Sequence, residues 1–259
     1  REIRLTNWRA RVGAALEDGG RLSALFANDE RPIGGDLAIY AIIGYKERGE
    51  FLGFKTHVSA EEPIIGSLVP VCSAAAWYER EMHDLFGIIP EGHPDLRPMV
   101  LHENWPVGVY PLRKDFDAHT EVPLVRGDYE MPQVKGEGIF EVPVGPIHAG
   151  IIEPGHFRFS QLGEHIIRLE AKLFFTHRGI EKAVEGLTAQ RAFYQVERIC
   201  GACAVSHALS YSQALESMVQ VALPPAARYA RVVVAELERL YNHVGDIGNV
   251  CAGLGFAIG

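Results

Sequence analysis

Residues 37–58 read LAIYAIIGYKERGEFLGFKTHV. Leu37–Tyr45 is an apolar run rich in β-formers, Lys46–Glu50 is a charged turn containing Gly49, and Phe51–Val58 returns with alternating large side chains. That order predicts a β-hairpin. Upstream, Trp8, Val12 and Leu16 recur at helical spacing and stop at Asp18-Gly19-Gly20, the pattern of a short amphipathic helix with a glycine terminator. Downstream, Ser73 stands where it would cap a helix running through Trp77 to Phe86, and Gly87 follows at the position where helices turn left-handed. Residues 1–116 are therefore expected to form an α+β domain.

From Pro90 to Pro146 prolines and glycines are frequent, and Asp117–Gly138 is polar without periodicity. An extended connection is expected over 117–140, ordered as a strap because its composition is not low-complexity. Beyond it, Leu162, Ile166, Leu169 and Leu173 share one helical face, as do Leu237, Leu240, Val244 and Ile247. Pro224-Pro225 divides two helices, the first predicted over Cys203–Val221. The fold class expected is thus an α+β N-terminal domain followed by a mainly α-helical domain over 141–259.

At 259 residues and 47% hydrophobic content the chain can support packed cores. A formal net charge of −8 and the lack of a Lys/Arg stripe argue against nucleic acid as a partner. Four cysteines are too few for a disulfide framework and suit a reducing compartment, so a cytoplasmic location is expected. No apolar run reaches the roughly 18 residues that span a bilayer. The longest, Ile64–Tyr78, is broken by Gly66 and Pro70. The chain starts at Arg1 without a methionine and stops in the apolar, glycine-rich Leu254–Gly259, so a truncated polypeptide is expected.

The stretch most charged with chemistry is Arg198–His207, RICGACAVSH. Cys200 and Cys203, at i and i+3 around Gly201, would aim two sulfurs at one point from a turn entering a helix, with backbone N–H groups lowering their pKa. Soft metals in cysteine-rich sites take about four ligands, so such a half-site needs two more. His207 with Cys251, another chain, or a segment outside these residues would each complete it. A buried structural pair and a zinc half-site are the plainer alternatives. Cys72 and Cys251 stand alone and are expected to be small core hydrophobes.

Two stretches resemble known families. Trp77–Phe116, WYEREMHDLFGIIPEGHPDLRPMVLHENWPVGVYPLRKDF, resembles the signature of the 30-kDa-type subunit of complex I, an α+β fold. Gly145–Ser160 (GPIHAGIIEPGHFRFS), His177–Lys182 (HRGIEK) and Glu197–His207 (ERICGACAVSH) resemble the large subunit of energy-converting, membrane-bound [NiFe]-hydrogenases of the formate hydrogenlyase and hydrogenase-4 branch. That subunit is related to the complex I 49-kDa subunit, and in this branch the two modules are fused in the order seen here. The complex I relative has lost the nickel-binding thiols, so the presence of both Cys200 and Cys203 points toward hydrogenase. The family's second C-x-x-C is absent from these residues.

The resemblance implies roles. Cys200 would be a terminal nickel ligand and Cys203 a thiolate bridging nickel to an iron carrying CN and CO ligands. His207, one turn beyond Cys203, would hydrogen-bond the bridging sulfur rather than bind metal; a satisfied core histidine is the plainer alternative. Glu153, before Pro154-Gly155-His156, would pass protons to and from the terminal cysteine, as a partly buried carboxylate with a raised pKa can; its plainer alternative is a loop salt bridge. For His148 and His156, proton-path support and packing stand equally open. Arg178, Glu181 and Lys182 read as a solvated charged face, or as a contact with a partner or a proton route.

The resemblance further implies an oxidoreductase interconverting H2 with protons and electrons. Its partners would be a small iron–sulfur subunit and a ferredoxin-like protein bearing [4Fe–4S] clusters, with membrane-arm subunits holding the complex on the inner face of the cytoplasmic membrane. The alternatives are a complex I-like quinone-reducing module without nickel, and a non-catalytic scaffold that docks the iron–sulfur subunit.

Overall fold

A computed structural model describes residues 1–147 and 153–256. The chain divides into two compact units, Arg1–Val142 with Arg158–Phe174, and Pro143–Phe157 with Phe175–Gly259. In chain order the elements are α1 (Trp8–Glu17), β1 (Arg21–Asp29), β2 (Leu37–Tyr45), β3 (Glu50–Val58), β4 (Ile64–Gly66), α2 (Ala75–Phe86), β5 (Ile89–Glu91), β6 (Ile139–Val144), β7 (His156–Leu162), β8 (His165–Lys172), α3 (Ile180–Ala183), α4 (Ala189–Val196), α5 (Ala204–Val219) and α6 (Pro225–Gly253). The N-terminal region is α+β and the C-terminal region helical, as expected.

In the first unit β1, β2 and β3 form an antiparallel sheet in that order, with Leu37 opposite Val58 and Tyr45 opposite Glu50. One face packs on the helices. Leu37, Ile39, Ala41 and Ile43 of β2 are fully buried and join Trp8 and Val12 of α1 and Met82, Leu85 and Phe86 of α2 in a single core. Strand β1 carried no sequence signal because a bulge between Leu22 and Ala24 breaks its alternation. Helix α2 ends at Gly87 (φ +74) as expected, but Ser73 does not cap it; Ala74 is the N-cap and makes no side-chain bond. The buried Glu79 instead reaches back from α2 to Ser67 Oγ and the Leu68 N–H, both 2.6 Å away.

Residues 120–135 hold neither helix nor strand among the described residues, yet they are tied down. Val125 N–H donates to Asn104 O (2.9 Å) and Arg97 Nη1 to Glu130 O (2.8 Å). The Arg97 guanidinium and the Lys172 ammonium both lie over the Tyr129 ring.

The helix expected on Leu162, Ile166 and Leu169 is not there. Strands β7 and β8, joined by Gly163-Glu164, occupy the segment and form a three-stranded sheet with β6. Gly163 has φ +59, a conformation that a two-residue hairpin turn takes and an α-helix does not. The 4-3 spacing of the leucines and isoleucine was coincidental, since all three are about half exposed and mark no core face.

Candidate metal-binding half-site

In the second unit, helix α4 is capped by Thr188, whose hydroxyl accepts from Arg191 N–H. After α4 the chain makes an irregular loop and enters α5 with Cys203 at the N-cap position. This loop carries Cys200 and Cys203, both half-buried and both free thiols. Their sulfurs hydrogen-bond each other, and the Cys200 sulfur also accepts from the backbone of Ala202 and Cys203. The bond from Cys203 brings the Cys200 thiol below its ordinary value. The same bond pushes Cys203 up to about 11, aided by burial and the Cys200 charge. The expectation that both sulfurs are lowered therefore holds for Cys200 alone, because a thiolate there accepts from the S–H of Cys203.

Glu153 lies close enough for its charge to act on both sulfurs. Its carboxylate is gripped by Arg178 Nη2 and accepts from Thr176 Oγ1 at 2.8 Å. Arg178 Nη1 also donates to Ile199 O (3.4 Å), the carbonyl preceding Cys200. The raised pKa expected for Glu153 is corrected here: the Arg178 guanidinium holds the carboxyl below its usual range, against a smaller opposing push from burial. Half of the side chain is exposed.

His207 sits one turn into α5, its N–H bonded to Cys203 O at 3.1 Å. The ring is half-buried and bonds neither sulfur among the described residues. His156 Nδ1 donates to Gly145 O at 3.1 Å. His148 lies outside the described residues. Glu181 faces His177 at 4.0 Å and Lys182 pairs with Glu185 at 3.0 Å. Cys72 is half-buried against the core of the first unit. Cys251 is not the core residue expected: it is half-buried on α6 beside Leu240, Val244 and Ile247, which are 58–63% exposed.

Among the described residues no three His, Cys, Asp or Glu side chains converge to hold a metal. Completion by His207 and Cys251 is thereby corrected. What converges is two soft sulfurs on an open loop, since a Cβ added at Gly201 would meet nothing within 4 Å. A two-thiolate donor set of this kind suits half of a nickel or iron site.

Three residues of α6 that sequence reasoning missed hold this loop. Glu238, only 3% exposed, accepts from the N–H groups of Val205 (2.6 Å) and Ser206 (2.9 Å) and from Ser206 Oγ. Tyr241 OH and Asn242 Nδ2 both donate to Ala202 O, at 3.0 and 2.6 Å. The sequence offered only their i, i+3, i+4 spacing, which groups them on one face of α6 beside the unbroken stripe of Leu237, Leu240 and Val244 and names no contact.

Residues 6–122 match the family described as respiratory-chain NADH dehydrogenase, 30 Kd subunit, and residues 178–246 match nickel-dependent hydrogenase. The chain is 36% identical over 249 residues to formate hydrogenlyase subunit 5 of Escherichia coli, covering 94% of this chain and 44% of that protein. It is 35% identical over 245 residues to hydrogenase-4 component G of the same organism, covering 93% and 44%. The C/D protein of NADH-quinone oxidoreductase from Bdellovibrio bacteriovorus is 31% identical over 225 residues, 84% of this chain and 40% of that protein. The chain thus spans less than half the length of these curated relatives. It joins a region that matches the 30 Kd subunit family to one that matches nickel-dependent hydrogenases, and over most of its length it is similar to subunits of formate hydrogenlyase and hydrogenase-4 and to the C/D subunit of NADH-quinone oxidoreductase.

Proposed function

We propose that the chain forms part of the catalytic large subunit of a membrane-associated [NiFe]-hydrogenase, interconverting H2 with protons and electrons. The observation that carries this is the convergence of Cys200 and Cys203 at the entrance of α5, inside the region 178–246 that matches nickel-dependent hydrogenases, with the charge of Glu153 acting on both sulfurs. Residues 1–116 would be the 30-kDa-like domain, 117–140 the connection and 141–259 part of the hydrogenase-like domain.

A nickel–iron group with CN and CO on the iron supplies the heterolytic splitting of H2 when bound. Cys200 and Cys203 would provide two of its thiolates, and its remaining ligands would come from groups other than the described residues. Glu153 would take a proton from the Cys200 sulfur at one of its carboxylate oxygens. Arg178 and Thr176 fix its orientation and keep it ionised at neutral pH, while weakening it as a base. His207 would turn its ring N–H toward the Cys203 sulfur once that sulfur is deprotonated. Among the described residues no helix is long and apolar enough to cross a membrane. Attachment to the inner face of the cytoplasmic membrane would run through partner subunits, and electrons would pass to an iron–sulfur partner bearing [4Fe–4S] clusters.

The similarity to complex I C/D proteins favours a second reading, a quinone-linked module without nickel. The two separate in the full-length protein assembled with its partners. Wild type is expected to carry nickel, while Cys200→Ser and Cys203→Ser lose both nickel and hydrogen turnover, since a hydroxyl at neutral pH is neither ionised nor soft. A nickel-free wild-type complex would support the complex I reading. Wild-type nickel and turnover in either serine variant would overturn the ligand assignment.

A further inference from the structure

Cys203 occupies the N-cap of α5 but makes no capping bond with its own side chain. An N-cap side chain ordinarily accepts from the second or third helical N–H, here Val205 and Ser206. A thiol that did so would be turned toward its own backbone. In this chain both donors are taken by Glu238, from α6, more than thirty residues away in sequence. The capping role is therefore moved off the residue whose sulfur must point elsewhere. One turn further along α6, Tyr241 and Asn242 seize the carbonyl of Ala202, the residue between Gly201 and Cys203. Asn242 Nδ2 also donates to Glu238 O at 3.0 Å, so the three side chains act from one rigid turn.

We propose that Glu238, together with Tyr241 and Asn242, is a positioning residue that holds the Cys200–Ser206 loop in the shape that presents both sulfurs to one metal. This rests on the hydrogenase reading above. Glu238 caps the start of α5, and the Tyr241–Asn242 pair anchors the carbonyl just before Cys203. The direction of the Cys203 sulfur is set between those two holds. Replacement of the carboxylate by an amide places an N–H2 group against at least one backbone donor, which breaks one hold without changing side-chain volume.

The test uses the full-length protein in its assembled complex, with Glu238→Gln, and Asn242→Ala as a second variant at the other hold. Nickel content, amide hydrogen exchange and nickel-supplemented growth are measured together. In Glu238→Gln the Val205 and Ser206 amides are expected to exchange at least about tenfold faster, a local opening of the loop. Nickel occupancy is expected to fall to less than half of wild type and to recover when nickel in the medium is raised, as a loss of metal affinity does and a folding defect does not. Asn242→Ala should repeat the occupancy loss with Val205 and Ser206 still protected. Unchanged amide protection in Glu238→Gln, wild-type nickel occupancy in both variants, or an occupancy loss that nickel cannot restore would each overturn the clamp. A wild type without nickel would instead sink the hydrogenase reading on which the clamp rests, so the two failures are distinct.

Discussion

Glu30 shows how a single side chain can tie a sheet surface together. It is 7% exposed, and its carboxylate accepts from Tyr40 OH, from Lys55 Nζ at 2.7 Å and from His57 Nε2 at 3.1 Å, with Glu2 on the far side of His57. Tyr40 and Lys55 are cross-strand partners on β2 and β3, and Phe26 of β1 stacks on Tyr40 at 5.1 Å. Burial pushes the Glu30 carboxyl up, but the bonds from Lys55, Tyr40 and His57 outweigh it and hold the group at about 2, against 4.5 for an ordinary glutamate. A carboxyl lowered on folding contributes stability above its unfolded value and loses it as pH falls toward the folded value. Glu30→Gln is therefore expected to destabilise the chain by about 2 kcal/mol at neutral pH, the scale of a hydrogen bond to a charged group. The gap to wild type should close as pH drops from 4.5 toward 2. Thermal unfolding of both proteins across that range checks it, and a pH-independent gap would refute the charge-based account.

At the scale of elements, the ends of α2 and β7 depend on glycine for different reasons. Gly163 (φ +59) turns β7 into β8 in open space, with nothing within 4 Å of an added Cβ. Gly87 (φ +74) ends α2 beneath the Tyr110 ring, whose carbons would lie only 2.4–2.7 Å from an added Cβ. Gly163→Ala should cost only the left-handed backbone penalty, about 1–2 kcal/mol. Gly163→Asn should recover part of it, because Asn tolerates that conformation. Gly87→Ala carries the same penalty and must also displace Tyr110, so it should be the more destabilising of the two alanine variants. Denaturant titrations of the variants order them, and equal losses at Gly87 and Gly163 would contradict the crowding at Tyr110.

Over the whole molecule the two units differ in how much they bury. The first holds a continuous core from Trp8 to Val100, whereas in the second Ala192 is the one buried hydrophobic side chain among the described residues. Helix α6 leaves Leu237, Leu240, Val244 and Ile247 more than half exposed over its 29 residues. Amide protection follows buried apolar packing, since poorly covered elements open at low free-energy cost. In the isolated 259-residue chain, β2, β3 and α2 are expected to exchange slowly and α5 and α6 much faster. Hydrogen exchange read peptide by peptide decides it; α6 as slow as β2 would show that the second unit is stable by itself.

Much of the local structure was legible in the chain. The β2–β3 hairpin, α1, the Gly87 stop of α2 and the α6 helix followed from periodicity and turn chemistry, which act over a few residues. The C-x-x-C motif and the similarity to nickel-dependent hydrogenases around it were likewise legible without structure, because they rest on residue types and their spacing alone. The failures came where distant parts of the chain decide. A bulge hid β1, a left-handed glycine turned an apparent helical stripe into β7 and β8, and Arg178 set the pKa of Glu153 opposite to expectation. Only the tertiary structure brought Glu238, Tyr241 and Asn242 to the cysteine loop, because hydrogen bonds between α6 and that loop depend on how helices pack and leave no mark on local sequence period.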